Sequence, residues 1–263
     1  MVPISSIITM AVCAVVGIAA PVALAWWMVR KYKVKLTTIL IGAATFFIFA
    51  LLLEPILHQL VLKGPHGAAI TGNIWYYALY GGLAAGLFEE TCRLLAMKFL
   101  LRKEPSNALT GVAYGVGHGG LEMLLIFGVT MISNIAIAAM INSGQADTLL
   151  ATAPAEVQAQ VQAQFEQLQS SSAGMYLFGL WERFSAIILQ LGLSVLVWAA
   201  VRKGGKWLWL FPAAIVLHAL VDGCAVIVSK TAGILPTEII VFCLALAVGA
   251  MAWLTGRIMN ACE

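Results

Sequence analysis

The chain has 263 residues, of which 62% are hydrophobic and only 10% charged, with a mean hydropathy of +0.95; an ordinary globular chain carries roughly a quarter charged residues. Too few polar side chains are present to cover a water-soluble fold, so lipid is the solvent for most of the surface and the chain falls in the integral membrane class. The net charge is only +3, and the basic residues cluster beside apolar runs, which excludes nucleic acid as a partner.

Apolar runs long enough to cross roughly 30 Å of hydrocarbon lie at about 5–29, 36–62, 69–101, 107–142, 175–201, 207–229 and 237–258. They predict an all-α, polytopic helical bundle of about seven transmembrane helices, forming a single integral membrane domain over residues 1–263 of a multi-pass cell-membrane protein. Membrane-spanning strands would alternate apolar and polar residues, and these runs are apolar all round. The first run holds Ala23-Leu24-Ala25, a small-x-small cleavage look-alike. No Lys or Arg precedes it and it is longer than a signal-peptide core, so it reads as an uncleaved helix. Cys13, Cys92, Cys224, Cys243 and Cys262 show no metal-type spacing and read as small core residues.

Orientation follows from Lys and Arg in the connections. One alternating set of loops holds Arg30, Lys31, Lys33, Lys35, Arg102, Lys103, Arg202, Lys203, Lys206 and Arg257, and the other only Lys63 and Lys230. The bias puts the N-terminus outside and the C-terminus in the cytoplasm. The one long connection, about 143–174, is then extracytoplasmic. Within it Val157, Val161, Phe165 and Leu168 recur at helical spacing after Pro154, predicting a short amphipathic helix that ties two spans together or lies as a lid at the membrane interface.

Glu54, Glu89, Glu90, Glu122, Glu182 and Asp222 all fall inside apolar runs. Each costs at least about 2.5–3.5 kcal/mol at the bilayer centre, so each needs a partner or a function. In Phe88-Glu89-Glu90-Thr91-Cys92-Arg93 the arginine is four residues from one glutamate and three from the other, within reach of either along one helix face. Two acids so placed can differ in protonation state, which acid/base chemistry exploits. In Tyr114-Gly115-Val116-Gly117-His118-Gly119-Gly120-Leu121-Glu122, His118 and Glu122 share a face, and the glycines allow close helix approach or a locally opened backbone. In His218-Ala219-Leu220-Val221-Asp222 the same spacing recurs, so Asp222 can orient His218 or bind what His218 binds.

Depth unites the three groups. At ~1.5 Å per residue from the cytoplasmic helix ends, Glu89 lies ~20 Å in and His118 and His218 ~17 Å. Unrelated ion pairs have no reason to share a level, so one composite polar site is expected. Glu54 with His58, and Glu182 with Arg183, belong to a level nearer the outer surface and read as structural pairs or as shapers of substrate access.

Acids, an arginine and two histidines at one depth suit either proton-coupled transport or hydrolysis. A Glu/His pair can polarise a water while a second His or a bound cation stabilises an oxyanion, which favours hydrolysis. There is no Gly-x-Ser-x-Gly elbow and no His-Glu-x-x-His, although His118, Glu122, His218 and Asp222 supply enough ligands for zinc.

Paired glutamates followed by Arg, then an aromatic-x-x-x-His helix, then His-x-x-x-Asp resemble the CAAX-protease and bacteriocin-processing superfamily of intramembrane glutamic proteases. Gly-Leu-Phe-Glu-Glu-Thr-Cys-Arg, the Gly-His-Gly-Gly-x-x-Glu block and Trp181-Glu182-Arg183 look most like its YhfC branch, over about residues 81–222. The resemblance implies Glu89 as the base that activates water, His118 sharing that water, Arg93 anchoring the glutamates and Glu90 holding their geometry. His218 and Asp222 would stabilise the oxyanion and leaving group. The CAAX branch has three residues between the pair and Arg where this chain has two, and it typically has Asn where Asp222 stands; an ionised Asp cannot donate to an oxyanion. Asp222 is then protonated, orients His218 or binds a metal. No cofactor is favoured, with zinc possible. The expected activity is cleavage of a membrane-associated peptide or protein. The alternatives are a zinc-dependent protease built on the same residues, a proton-coupled transporter, or a silent scaffold like the gamma-secretase scaffold subunit, which the superfamily also resembles.

Overall fold

A computed structural model describes residues 1–152 and 154–261; Cys262 lies outside them. Every regular element among the described residues is helical. The helices are α1 (Ile4–Tyr32), α2 (Leu36–Phe46), α3 (Glu54–Leu62), α4 (Gly67–Thr71), α5 (Ile74–Leu95), α6 (Ala108–Glu122), α7 (Thr130–Asn142), α8 (Ala146–Thr152), α9 (Ala155–Ser170), α10 (Ala173–Lys203), α11 (Leu210–Thr231) and α12 (Ile234–Ala261). Three wider, π-helical stretches continue helices without a break: Phe47–Leu53 joins α2 to α3, Ala96–Leu100 extends α5, and Met123–Val129 joins α6 to α7. Two of them abut an acid, Glu54 or Glu122. Such stretches are rare and tend to mark functional positions.

Six stretches are long and apolar enough to cross a bilayer: Ile4–Tyr32, Leu36–Leu62, Ala108–Asn142, Ala173–Lys203, Gly205–Thr231 and Ile234–Ala261. The protein is a multi-pass integral membrane protein. The remaining run of the expected seven is α5 with its extension, which carries Glu89, Glu90, Arg93 and Lys98. It is not among the six.

The helices pack as two compact units, residues 1–20 with 123–183, and residues 21–122 with 184–263. In the first, Met10, Cys13, Phe127, Met131, Phe165 and Leu168 form a buried core. The N-terminus is tied down where Val2 N donates to Asn142 Oδ1 at 2.7 Å and Asn142 Nδ2 donates to Val2 O at 3.0 Å. The expected amphipathic segment forms α9, with Phe165 and Leu168 buried and Val157 exposed.

The second unit holds Glu89, Glu90, His118, Glu122, His218 and Asp222. Its core centres on Trp198, Leu193 and Leu196 of α10, all 0% exposed. Glycine lets its helices touch at the backbone. A Cβ on Gly117 would stand 1.8 Å from Ile39 O, and one on Gly42 would stand 2.1 Å from Tyr114 O, so α2 and α6 meet through the two glycines. Gly82 and Gly86 do the same for α5 against Ala219 and Ile215 of α11. This is the small-residue packing by which helices associate in lipid, where apolar surface alone gives no drive. Asn73 caps α5, its Oδ1 accepting from Trp75 N at 2.9 Å and Tyr76 N at 3.3 Å. Gly233, at φ +86°, turns the chain between α11 and α12.

Candidate active site

The close crossings of α5 with α11 and of α6 with α2 bring polar side chains from separate helices together in apolar surroundings. Glu90, Arg93 and His118 are 0% exposed, His218 3% and Glu89 7%. At that burial a charge survives only if paired, and each has partners. Arg93 forms an ion pair with Glu90, three residues back on the same helix. Glu90 Oε1 also meets His218 Nδ1 at 2.8 Å. Glu89 Oε2 lies 2.8 Å from His118 Nε2 and 4.0 Å from His218 Nε2. Asp222 Oδ2 stands 3.6 Å from His218 Nε2, with its side chain 40% exposed.

The two glutamates therefore have different environments. Glu90 is sealed between Arg93 and His218, whereas the Glu89 side chain is 10% exposed and faces both imidazoles. Aromatic rings fix His118 from two sides. Phe46 packs edge-on at 5.1 Å and Tyr114 stacks at 6.0 Å. Tyr114 Oη in turn bonds Thr45 Oγ1 of α2.

The sequence places these residues at one level; their side chains do meet, but two of the three local pairings differ from the helical spacings. Arg93, within reach of either glutamate, takes Glu90. His118 turns to Glu89 on α5, and Glu122 accepts instead from Gln190 of α10 at 3.0 Å. Glu90, not Asp222, holds His218 at hydrogen-bonding distance. Gln190 was not anticipated at all. It is 3% exposed, accepts from Arg93, and also donates to Glu89 Oε2 at 2.9 Å.

Glu54 is buried, with His58 Nε2 3.3 Å from its Oε1, and His58 Nδ1 lies 2.8 Å from Tyr80 Oη. Glu182 and Arg183 pair with each other in the first unit.

Paired acids and imidazoles from separate helices thus lie buried together in a multi-pass membrane protein. The family model described as "YhfC intramembrane metalloprotease" matches residues 15–244, and the chain belongs to that family. The "Uncharacterized membrane protein YhfC" of Bacillus subtilis (strain 168) is 39% identical over 232 residues, covering 88% of each chain. No solved structure matches.

The family's description includes a metal, which gives no support to the expectation that none is favoured. Among the described residues, no three His, Cys, Asp or Glu side chains converge tightly enough to hold an ion as they stand. The donor types nevertheless suit zinc, which takes imidazole and carboxylate ligands at ~2.0–2.2 Å, spacing neighbouring ligand atoms roughly 3.3 Å apart. The 3.6 Å between His218 Nε2 and Asp222 Oδ2 is close to that.

Proposed function

We propose that the chain is an intramembrane endopeptidase that hydrolyses a peptide bond of a membrane-associated peptide or protein, with Glu89 as the base. The contrast between the two adjacent glutamates carries this reading. A base needs a lone pair that water can reach. Glu90 is fully buried in its ion pair, while Glu89 is partly accessible and lies beside two imidazoles.

In the proposed step Glu89 takes a proton from water, and the hydroxide bonds to the scissile carbonyl carbon. The carbonyl oxygen becomes an oxyanion, to which His218 Nε2–H donates while Glu90 holds Nδ1 from behind. Collapse of the intermediate breaks the C–N bond, and the proton on Glu89 passes to the departing amine. His118 keeps the Glu89 carboxylate directed, and Arg93 neutralises Glu90 so that His218 is oriented without adding a second free anion. Asp222 lies beside His218 Nε2, where the leaving group would pass.

The zinc-dependent version uses the same residues and is favoured by the family's description. His118, His218 and Asp222, with Glu122 as a further candidate, would hold the ion, and Glu89 remains the base. Bound zinc would supply Lewis acidity and a more acidic water.

The test is Glu89→Gln, which keeps size and removes the base. Cleavage of an apolar reporter peptide in reconstituted vesicles should be abolished, with the protein still monodisperse and folded. Undiminished turnover would refute the assignment, and solute uptake without cleavage would establish a transporter instead.

A further inference from the structure

We infer that Gln190 is a positioning residue for this reaction, its side-chain amide fixing the Glu89 carboxylate and drawing Glu122 into the site. The inference rests on the reading of Glu89 as the base. Arg93 donates to Gln190 Oε1, and Gln190 Nε2 donates to Glu89 Oε2 at 2.9 Å and Glu122 Oε2 at 3.0 Å.

The chemistry of the partners leaves only one orientation for the amide. A guanidinium has donors alone, so the end facing Arg93 must be the carbonyl. Two carboxylates only accept, so the end facing them must be the NH2. A flipped amide would set donor against donor and acceptor against two acceptors. Glutamate at 190 would satisfy Arg93 but aim a third carboxylate at Glu89 and Glu122. Methionine would fill the space and leave the wholly buried Arg93 short of an acceptor. Among side chains of this length, the amide reconciles a cation at one end with two anions at the other.

The glycine-rich face of α6 is shaped around this side chain. Gly119 lies between His118 and Glu122 in sequence, and a Cβ there would stand 2.9 Å from Gln190 Cβ and 3.2 Å from its Cγ. Only hydrogen at 119 lets the stem of Gln190 pass. One turn on, Ser194 Oγ donates to Gln190 O at 2.7 Å. The contacts of Gln190 and His118 with Glu89 both fall on Oε2, which directs Oε1 as the oxygen that takes the proton. Loosening Gln190 would therefore misaim the base without altering what the site binds, a fault expressed in rate more than in affinity.

The test compares Gln190→Met, Gln190→Asn and Gly119→Ala with Glu89→Gln on the same apolar reporter peptide in phospholipid vesicles. The methionine variant should lose about 10²-fold in kcat per folded molecule, with KM within about twofold. The asparagine variant keeps both polar atoms but withdraws them by one methylene, and Gly119→Ala pushes Gln190 aside; both should show a smaller loss of the same kind. These two carry the test if Gln190→Met does not fold. Full kcat in the variants that fold, or a loss that only tracks the folded fraction, would overturn the inference while an inactive Glu89→Gln left the base assignment standing. An active Glu89→Gln would overturn both.

Discussion

His218 is held by its Nδ1 against Glu90 Oε1 at 2.8 Å, which leaves Nε2 directed at Glu89 and Asp222, 4.0 and 3.6 Å away. A histidine fixed through one ring nitrogen by a carboxylate presents the other in a defined state to a substrate or a metal. Glu90 thus acts through its neighbours, and its removal should differ in kind from removal of Glu89.

Glu90→Ala leaves Arg93 buried with no carboxylate, an arrangement that costs about 3–5 kcal/mol when one partner of a buried pair is lost. A fall in thermal midpoint of several degrees is expected, along with lost activity. Glu89→Gln should lose activity with the midpoint nearly unchanged, and thermal unfolding of the two purified variants checks the contrast.

The Asp222 side chain is 40% exposed and stands 3.6 Å from His218 Nε2. Asp222→Asn keeps its size and an acceptor oxygen. Turnover within about tenfold of the parent is expected if Asp222 only steadies the departing group. Loss of activity together with loss of bound metal would identify it as a ligand.

Elemental analysis of protein purified without chelator should find about one zinc per chain, greatly reduced in His118→Ala and His218→Ala and retained in Glu89→Gln. A metal-free, fully active preparation would leave the purely glutamic mechanism.

The helix crossings can be tested apart from the chemistry. Gly117→Ala sets a Cβ 1.8 Å from Ile39 O, and neither backbone can yield cheaply, so folded yield should collapse. Gly81→Ala has nothing within 4 Å and should be neutral or slightly stabilising. Size-exclusion profiles of the two variants make the comparison.

Much of this site is legible in the sequence because charge is scarce. In apolar runs Glu89, Glu90, Arg93, His118, His218 and Asp222 stand out by type, and a uniform rise per residue converts their positions into a common depth. Gln190 escapes that reasoning because a neutral amide inside an apolar run gives no charge signal, and its partners lie 68–101 residues away. Glu122 misleads in the opposite way. Its i, i+4 spacing from His118 suggests a pair, but a tertiary donor on α10 competes for it. The π-helical stretches are invisible to a search for 3.6-residue periodicity, since Phe47–Leu53 and Met123–Val129 are apolar all round and Ala96–Leu100 breaks the apolar run only at Lys98. The two packing units leave no mark either, because composition does not change where one gives way to the other.

The pairing of Arg93 with Glu90 lies within one helix, three residues apart. It can therefore form as soon as that helix coils, before any neighbour arrives. A newly made chain then presents α5 to lipid with two of its charges already cancelled, and Glu89 is left to await His118, 29 residues later in synthesis. The order in which the site's charges are neutralised is written into the spacing of their partners along the chain.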